Sequence, residues 1–449
     1  MRRAATIAVI GLACVAPRFA VADLPAPAAA TDTTLDRFFG GLSDSTDRYF
    51  GGTTSQVDTT GLDSSRAANL ALPPGHGPRR PLRLDWGPAF RFNRVDGPAY
   101  GATLGLRSAR TRVRIDSRLE YAAGPNRWQG GAGFRRMWGD EEHRWTLEAW
   151  GGRETAVVDR THESSAADPL ATVRALGFGT DARLYLRHDG FRAGLSRASG
   201  AWRAAAEWRD ELESPLDVTA TWNLANRALD VPGNIPAQSG RTHEALFSFV
   251  GRAPRLPLQG EIEYRTSRRA LGSDFEYRMT RAALGADITL GRWSALVPQA
   301  IYGRLTGDAL PQESFYLGGV SALTTRIGEA VGGSRLALGR IDWIGTRDLL
   351  ALAHIPHPAL LPIQGAVFAA SGAVWGTDPY GGASRAGGAW PEEAWISEAG
   401  LSLIWQPGFP DPTSLGRINV AWPVGSATGS PRVTLTFSRA LFLLAPLGN

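Results

Sequence analysis

The ten residues Arg112–Tyr121, RVRIDSRLEY, alternate with a period of two. Val113, Ile115, Leu119 and Tyr121 share one face with Ser117; Arg112, Arg114, Asp116, Arg118 and Glu120 share the other. Such alternation belongs to a β-strand, whose successive side chains point to opposite sides of the sheet. It recurs at Arg144–Trp150, Glu261–Arg265 and Arg432–Phe437. A soluble sandwich strand also alternates, but its charged side faces water and its apolar side a second sheet. Alternating segments of about ten residues, separated by turns along most of a chain, instead fit a transmembrane barrel. There the apolar face meets lipid, the polar face lines the lumen, and closure leaves no unpaired backbone edge in hydrocarbon.

The pattern runs from about Pro81 to Phe442 and yields about 17 candidate strands, where an even number is expected. The expected fold is therefore all-β, a transmembrane antiparallel β-barrel of about 16 strands over residues 81–449. Each strand with its connection then takes about 23 residues, room for membrane strands of ~9–11 residues and longer loops on one side. Trp86, Trp138, Trp343, Trp375, Trp405 and Trp422 sit near strand ends, where an interfacial girdle would place them. The 53 glycines and 15 tryptophans suit a turn-rich all-β chain, and no stretch offers the roughly 18 to 20 uninterrupted apolar residues of a spanning helix.

All 48 basic residues are arginine, and the net charge of +5 is small for 449 residues, so no nucleic-acid partner is expected. Residues 1–22 read as a signal peptide: a basic Met1-Arg2-Arg3, a short apolar run, then Ala20-Val21-Ala22 as a cleavage site. Cys14 lies within it, and Gly11 makes a poor lipobox, so the mature chain would carry no cysteine and no disulfide. Residues 23–80 show no sustained period and read as a flexible periplasmic segment. Within them Asp36-Arg37-Phe38-Phe39-Gly40-Gly41 recurs as Asp47-Arg48-Tyr49-Phe50-Gly51-Gly52, either a local duplication or a docking element.

Ordered motifs in the last third carry a resemblance. Phe315-Tyr316-Leu317-Gly318-Gly319 precedes a loop containing Leu323, Thr324 and Arg326; strands follow at Gly339–Asp342, Val367–Trp375, Ile396–Trp405, Gly416–Pro423 and Arg432–Phe442. Phe90–Gly97 has the look of an opening hairpin. Together these resemble the BamA/TamA superfamily of outer-membrane barrels, the bacterial surface antigen family. The resemblance implies location in the bacterial outer membrane and insertion or export of proteins there. It implies a loop folded back into the barrel, with its motif at Gly318, Gly319, Leu323, Thr324 and Arg326 facing a strand at Phe368, Ala370 and Gly372. It also implies a weak seam between the first strand (Leu84, Trp86, Phe90) and the last (Val433, Leu435, Phe437, Phe442). Outer-membrane lipid, unfolded client proteins and a separate periplasmic protein are the partners implied; no cofactor or metal is.

The chain departs from the family in three places. The family's loop arginine and its aspartate partner fall here on Thr324 and Ala370. Losing both is nearly neutral, whereas losing one strands a buried charge, so the loop is expected without its ionic lock. Arg326 with Glu329 or Asp342 is the alternative pairing. Residues 23–80 lack the pattern of polypeptide-transport-associated domains, and the chain continues to Asn449 beyond its last aromatic. These departures keep open a passive pore or structural barrel that has lost the assembly role. No enzyme is expected: no Gly-x-Ser-x-Gly elbow occurs, His354 and His357 flank a proline turn, and Asp140–His143 and His162–Ser165 read as charged loop tips.

Overall fold

The computed structural model describes residues 82–438, apart from 109–110, 141–142, 159–171, 180, 182, 225–232, 254–255, 318–322, 327–330, 346, 356–361, 380–394, 406–414 and 426–429. The signal peptide, residues 23–80, Gly318, Gly319, Glu329, His162, His357 and Phe442 lie outside the described residues.

The first half of the wall consists of β1 (Arg83–Asn93), β2 (Gly97–Ser108), β3 (Val113–Ala122), β4 (Arg127–Gly139), β5 (Arg144–Val157), β6 (Tyr185–Ser199), β7 (Trp202–Pro215) and β8 (Gly240–Arg252). It continues through β9 (Leu258–Ser267), β10 (Tyr277–Ala286), β11 (Ile288–Leu290) and β12 (Ser294–Gly307). Two short strands, β13 (Phe315–Tyr316) and β14 (Gly332–Gly333), pair only with each other. The wall closes its sequence with β15 (Arg335–Gly345), β16 (Ile363–Trp375), β17 (Ile396–Trp405), β18 (Leu415–Val424) and β19 (Arg432–Ser438).

Every wall strand pairs antiparallel with the next, from β1–β2 through β18–β19. β10 and β11 both pair with β12, so β11 continues β10. The wall is thus an antiparallel barrel of sixteen strands, as the alternation predicts: β1–β10, β12 and β15–β19. Among the described residues no ladder joins β1 to β19.

The start of β1 and the end of β19 share one rim, where most connections are short; 200–201 alone link β6 to β7, and 346–362 is the longest. The opposite rim carries the long connections 158–184, 216–239, 308–334 and 376–395. Ile115, Leu119, Phe134, Leu147, Leu195, Ile262 and Leu401 point outward and are exposed. Arg114 and Asp116, and Arg135 and Glu148, pair on the luminal side at 2.6 and 2.8 Å. Trp86, Trp138, Trp343 and Trp422 belong to the outer surface. Trp375 does not: it is buried with Ala337 and Ala373 against Trp395 at the long-loop rim, where chain covers the wall. No described helix is long and apolar enough to cross a membrane.

Candidate functional site: the inturned loop and the barrel seam

The connection between β12 and β15 turns into the lumen as a narrow ribbon. Pro311 starts a 3-10 turn at Pro311–Glu313, and the Ser314 hydroxyl donates to the Leu310 carbonyl at 2.8 Å. The β13–β14 ladder then holds the two arms together, and Leu317 N donates to the Val331 carbonyl at 3.1 Å. Phe315, Leu317 and Leu323 pack against an apolar strip of the inner wall that includes Ile301, Leu338, Ala370 and Val374. Two glycines make room for this close approach. A Cβ on Gly303 would lie 2.5 Å from the Phe315 ring, and one on Gly372 would lie 2.7 Å from the Leu317 Cδ1. Leu317 and Leu323 are both fully buried, which contributes about 1.5–3 kcal/mol each relative to exposure.

At the tip, Thr324–Arg326 form a 3-10 turn. Glu398 on β17 accepts the Thr324 N–H at 3.0 Å, the Thr325 N–H at 2.8 Å and the Thr325 hydroxyl at 2.9 Å. Glu398 is buried, and each of these bonds to a carboxylate acceptor contributes about 1.5–3 kcal/mol. At the other end of the ribbon, the Gln312 amide donates to Glu213 on β7 and to the Gln238 carbonyl, both at 3.0 Å. β7 and β17 are the seventh and fourteenth wall strands, so the ribbon spans the lumen.

Beside this tip lies a charged cluster. Arg340 donates to Asp342 from Nε and Nη2 at 2.8 and 3.0 Å, and Arg417 on β18 reaches the same carboxylate past two intervening strands. Both guanidinium groups lie over the Phe368 ring, 4.1 and 5.4 Å from its centre. Asp342 is thereby shared by Arg340 and Arg417; the Arg326 side chain, the alternative partner read from the sequence, lies outside the described residues.

The opening hairpin is also buried at its turn. Arg94, Val95 and Asp96 are fully covered by the connections after β5 and β7. Arg94 N donates to Asp181 at 2.9 Å, and its carbonyl accepts from Thr219 N and Ala220 N. Asp96 binds Arg91 at 2.6 Å, Asn93 at 3.0 Å and Thr155 at 3.0 Å. Arg174, in the same β5–β6 connection, donates to the Leu435 carbonyl of β19 at 3.2 Å, so one segment touches both ends of the wall.

Of the residues expected in the loop site, the fold brings together Leu323, Thr324, Ala370, Gly372 and, through the charged cluster, Phe368. Ala370 stands opposite Glu398 in the β16–β17 ladder, so a carboxylate not anticipated from the sequence meets the loop from the next strand. Sequence reasoning missed Glu398. Leu84, Trp86, Phe90 and Val433 of the expected seam are exposed on the outer face, Leu435 is partly buried, and Phe437 lies in β19. His143 sits on an exposed turn, its Nδ1 3.5 Å from Asp140, and His354 ends a turn with φ of 57°.

A strand order without crossovers, an apolar exterior, a charged interior and an inturned ribbon define a large transmembrane-type β-barrel. No sequence-family description and no curated protein matches the chain. Among solved structures it is similar to BamA from Haemophilus ducreyi lacking POTRA domains 1-3, at 11% identity and a TM-score of 0.46, over 80% of this chain and 70% of that one. It is similar to CdiB from Escherichia coli at 11% identity and 0.43, over 80% of this chain and 62% of that one. It is also similar to the outer membrane protein opdK from Pseudomonas aeruginosa at 14% identity and 0.36, over 76% and 92%.

Proposed function

We propose that this chain is an outer-membrane barrel of the protein-assembly or translocation type, aiding insertion or export of proteins at that membrane. The observation that carries the reading is the β12–β15 ribbon, fixed to β7 through Gln312 and to β17 through Glu398. A loop tied to opposite walls obstructs free passage through the lumen and props the barrel from within. The strand edges of β1 and β19, which share no described ladder, are where an incoming strand would find unpaired donors and acceptors. Unfolded barrel or secreted proteins are the clients on this reading. A separate periplasmic protein docking near the start of β1 would deliver them.

A second reading, a passive pore, draws support from a luminal cavity of about 450 Å³ on the β3–β7 side, lined by Arg114, Asp116, Arg118, Glu148, Arg192 and Glu207. The test is reconstitution of the mature chain into lipid vesicles and the folding rate of a small unfolded barrel client. Acceleration over empty vesicles is expected. Ion conductance with no acceleration would replace the assembly reading with the pore.

A further inference from the structure

At the short-turn rim, a band of four aromatic side chains and one arginine runs across five neighbouring strands on the outer face. Trp138 of β4 stacks on Trp145 of β5, ring centres 6.5 Å apart and planes within 6°. Trp202 of β7 stacks on Phe249 of β8 at 6.3 Å. Between the two pairs sits Arg197 of β6, opposite Trp145 in the ladder, its guanidinium carbon 5.4 Å from the Trp145 ring and 5.6 Å from the Trp202 ring. Arg197 has no carboxylate partner, and its buried Nε has no hydrogen-bond partner, among the described residues. Arg136, exposed on the same face of β4 two residues from Trp138, also has no carboxylate partner there. The chemistry repeats farther round the same rim, where Trp293 lies under Arg292 at 4.4 Å and under Arg347 at 3.0 Å.

A cation sandwiched between indoles is held in place by the ring faces while its N–H edge stays free to donate. Most luminal arginines of this barrel meet carboxylates, as Arg91, Arg135 and Arg281 do. Arg197 and Arg136 instead present unneutralised charge at the edge of the apolar exterior. A ligand there must carry an apolar part that lies along Leu147 and Leu195, both exposed and outward, and an anion at headgroup level. We infer that Arg197, caged by Trp145 and Trp202, together with Arg136, binds the headgroup phosphate of an anionic glycerophospholipid. Trp293 with Arg347 forms a second site of the same kind. The inference rests on the outer-membrane reading, which turns this rim toward the periplasmic leaflet. Basic, aromatic-lined positions at a membrane surface attract anionic headgroups in this way.

Native mass spectrometry of the full chain, released from micelles doped equally with phosphatidylethanolamine and phosphatidylglycerol, tests the site. The expected result is preferential retention of phosphatidylglycerol, reduced about fivefold by Arg197→Gln and again by adding Arg136→Gln. Arg136→Gln alone changes an exposed residue and serves if Arg197→Gln does not fold; Arg197→Lys should retain part of the preference. Equal retention of the two lipids, or a preference unchanged in both glutamine variants, would overturn the inference. Competition by millimolar inorganic phosphate as effective as competition by lipid would also overturn it, by pointing to a free anion. Client folding measured in vesicles of phosphatidylethanolamine alone separates the two readings. Lipid preference without client acceleration sinks only the assembly role; acceleration without lipid preference sinks only this site.

Discussion

Glu398 holds Thr324 through the threonine's backbone N–H, at 3.0 Å, not through its side chain. The residue opposite Glu398 in the ladder, Ala370, supplies an apolar contact to the same loop. The clasp at this tip is one carboxylate and the main chain.

Glu398→Ala removes the acceptor for two buried N–H groups and a hydroxyl. The expected cost is roughly 2–4 kcal/mol, with about half of that for Glu398→Gln, which keeps one acceptor oxygen. Denaturant unfolding from vesicles measures the loss, and protease cutting within 308–334 should rise in parallel.

The two threonines should respond with opposite signs. The Thr324 hydroxyl is buried with no hydrogen-bond partner among the described residues, whereas the Thr325 hydroxyl donates to Glu398 at 2.9 Å. Thr324→Val should be neutral or stabilising by up to about 1 kcal/mol, and Thr325→Val should destabilise by about 1–2 kcal/mol. Equal effects in the same unfolding assay would contradict the described tip.

Asp342 bridges two guanidinium groups, so Asp342→Asn removes the carboxylate that both share in a buried setting, at a cost of about 3–5 kcal/mol. Arg417→Met leaves the Arg340–Asp342 pair intact and should cost markedly less. Thermal unfolding of the two variants side by side gives the order.

Gly372→Val introduces a side chain where even the Cβ meets Leu317 at 2.7 Å and Leu338 at 2.9 Å. Overpacking of about 1–3 kcal/mol is expected, and relief by a second change, Leu317→Ala, in a double-mutant cycle would confirm the contact.

The β1–β2 turn supplies a pH dependence. Burial alone would raise the Asp96 carboxyl, but Arg91, Asn93, Thr155 and Arg127 together hold it below its ordinary value. A group depressed in the folded state contributes stability above its unfolded value, near 3.8, and loses it as pH falls through the folded value. Unfolding at pH 3 should therefore be easier than at pH 6, and Asp96→Asn should flatten that difference.

The wall was legible because an apolar outside and a charged inside force a period of two, and Arg112–Tyr121 shows that period with only Ser117 polar on the apolar face. Sixteen strands and the inturned loop followed from it and from the ordered motifs. Glu398 was not legible: it sits at a luminal position like Glu120 or Glu148, and only the folded loop shows which carboxylate meets a residue 74 positions away. The buried β1–β2 turn escaped for a similar reason, since the connections that cover it carry no periodicity. Trp375 was misplaced in the girdle because proximity to a strand end does not tell which end the loops enclose.

A main-chain latch also changes what evolution can alter. Any amino acid but proline brings an N–H to positions 324 and 325, so mutation can replace both threonines while the fastening persists. In such a barrel one acid on a neighbouring strand is the constrained position, while the loop facing it is free to drift.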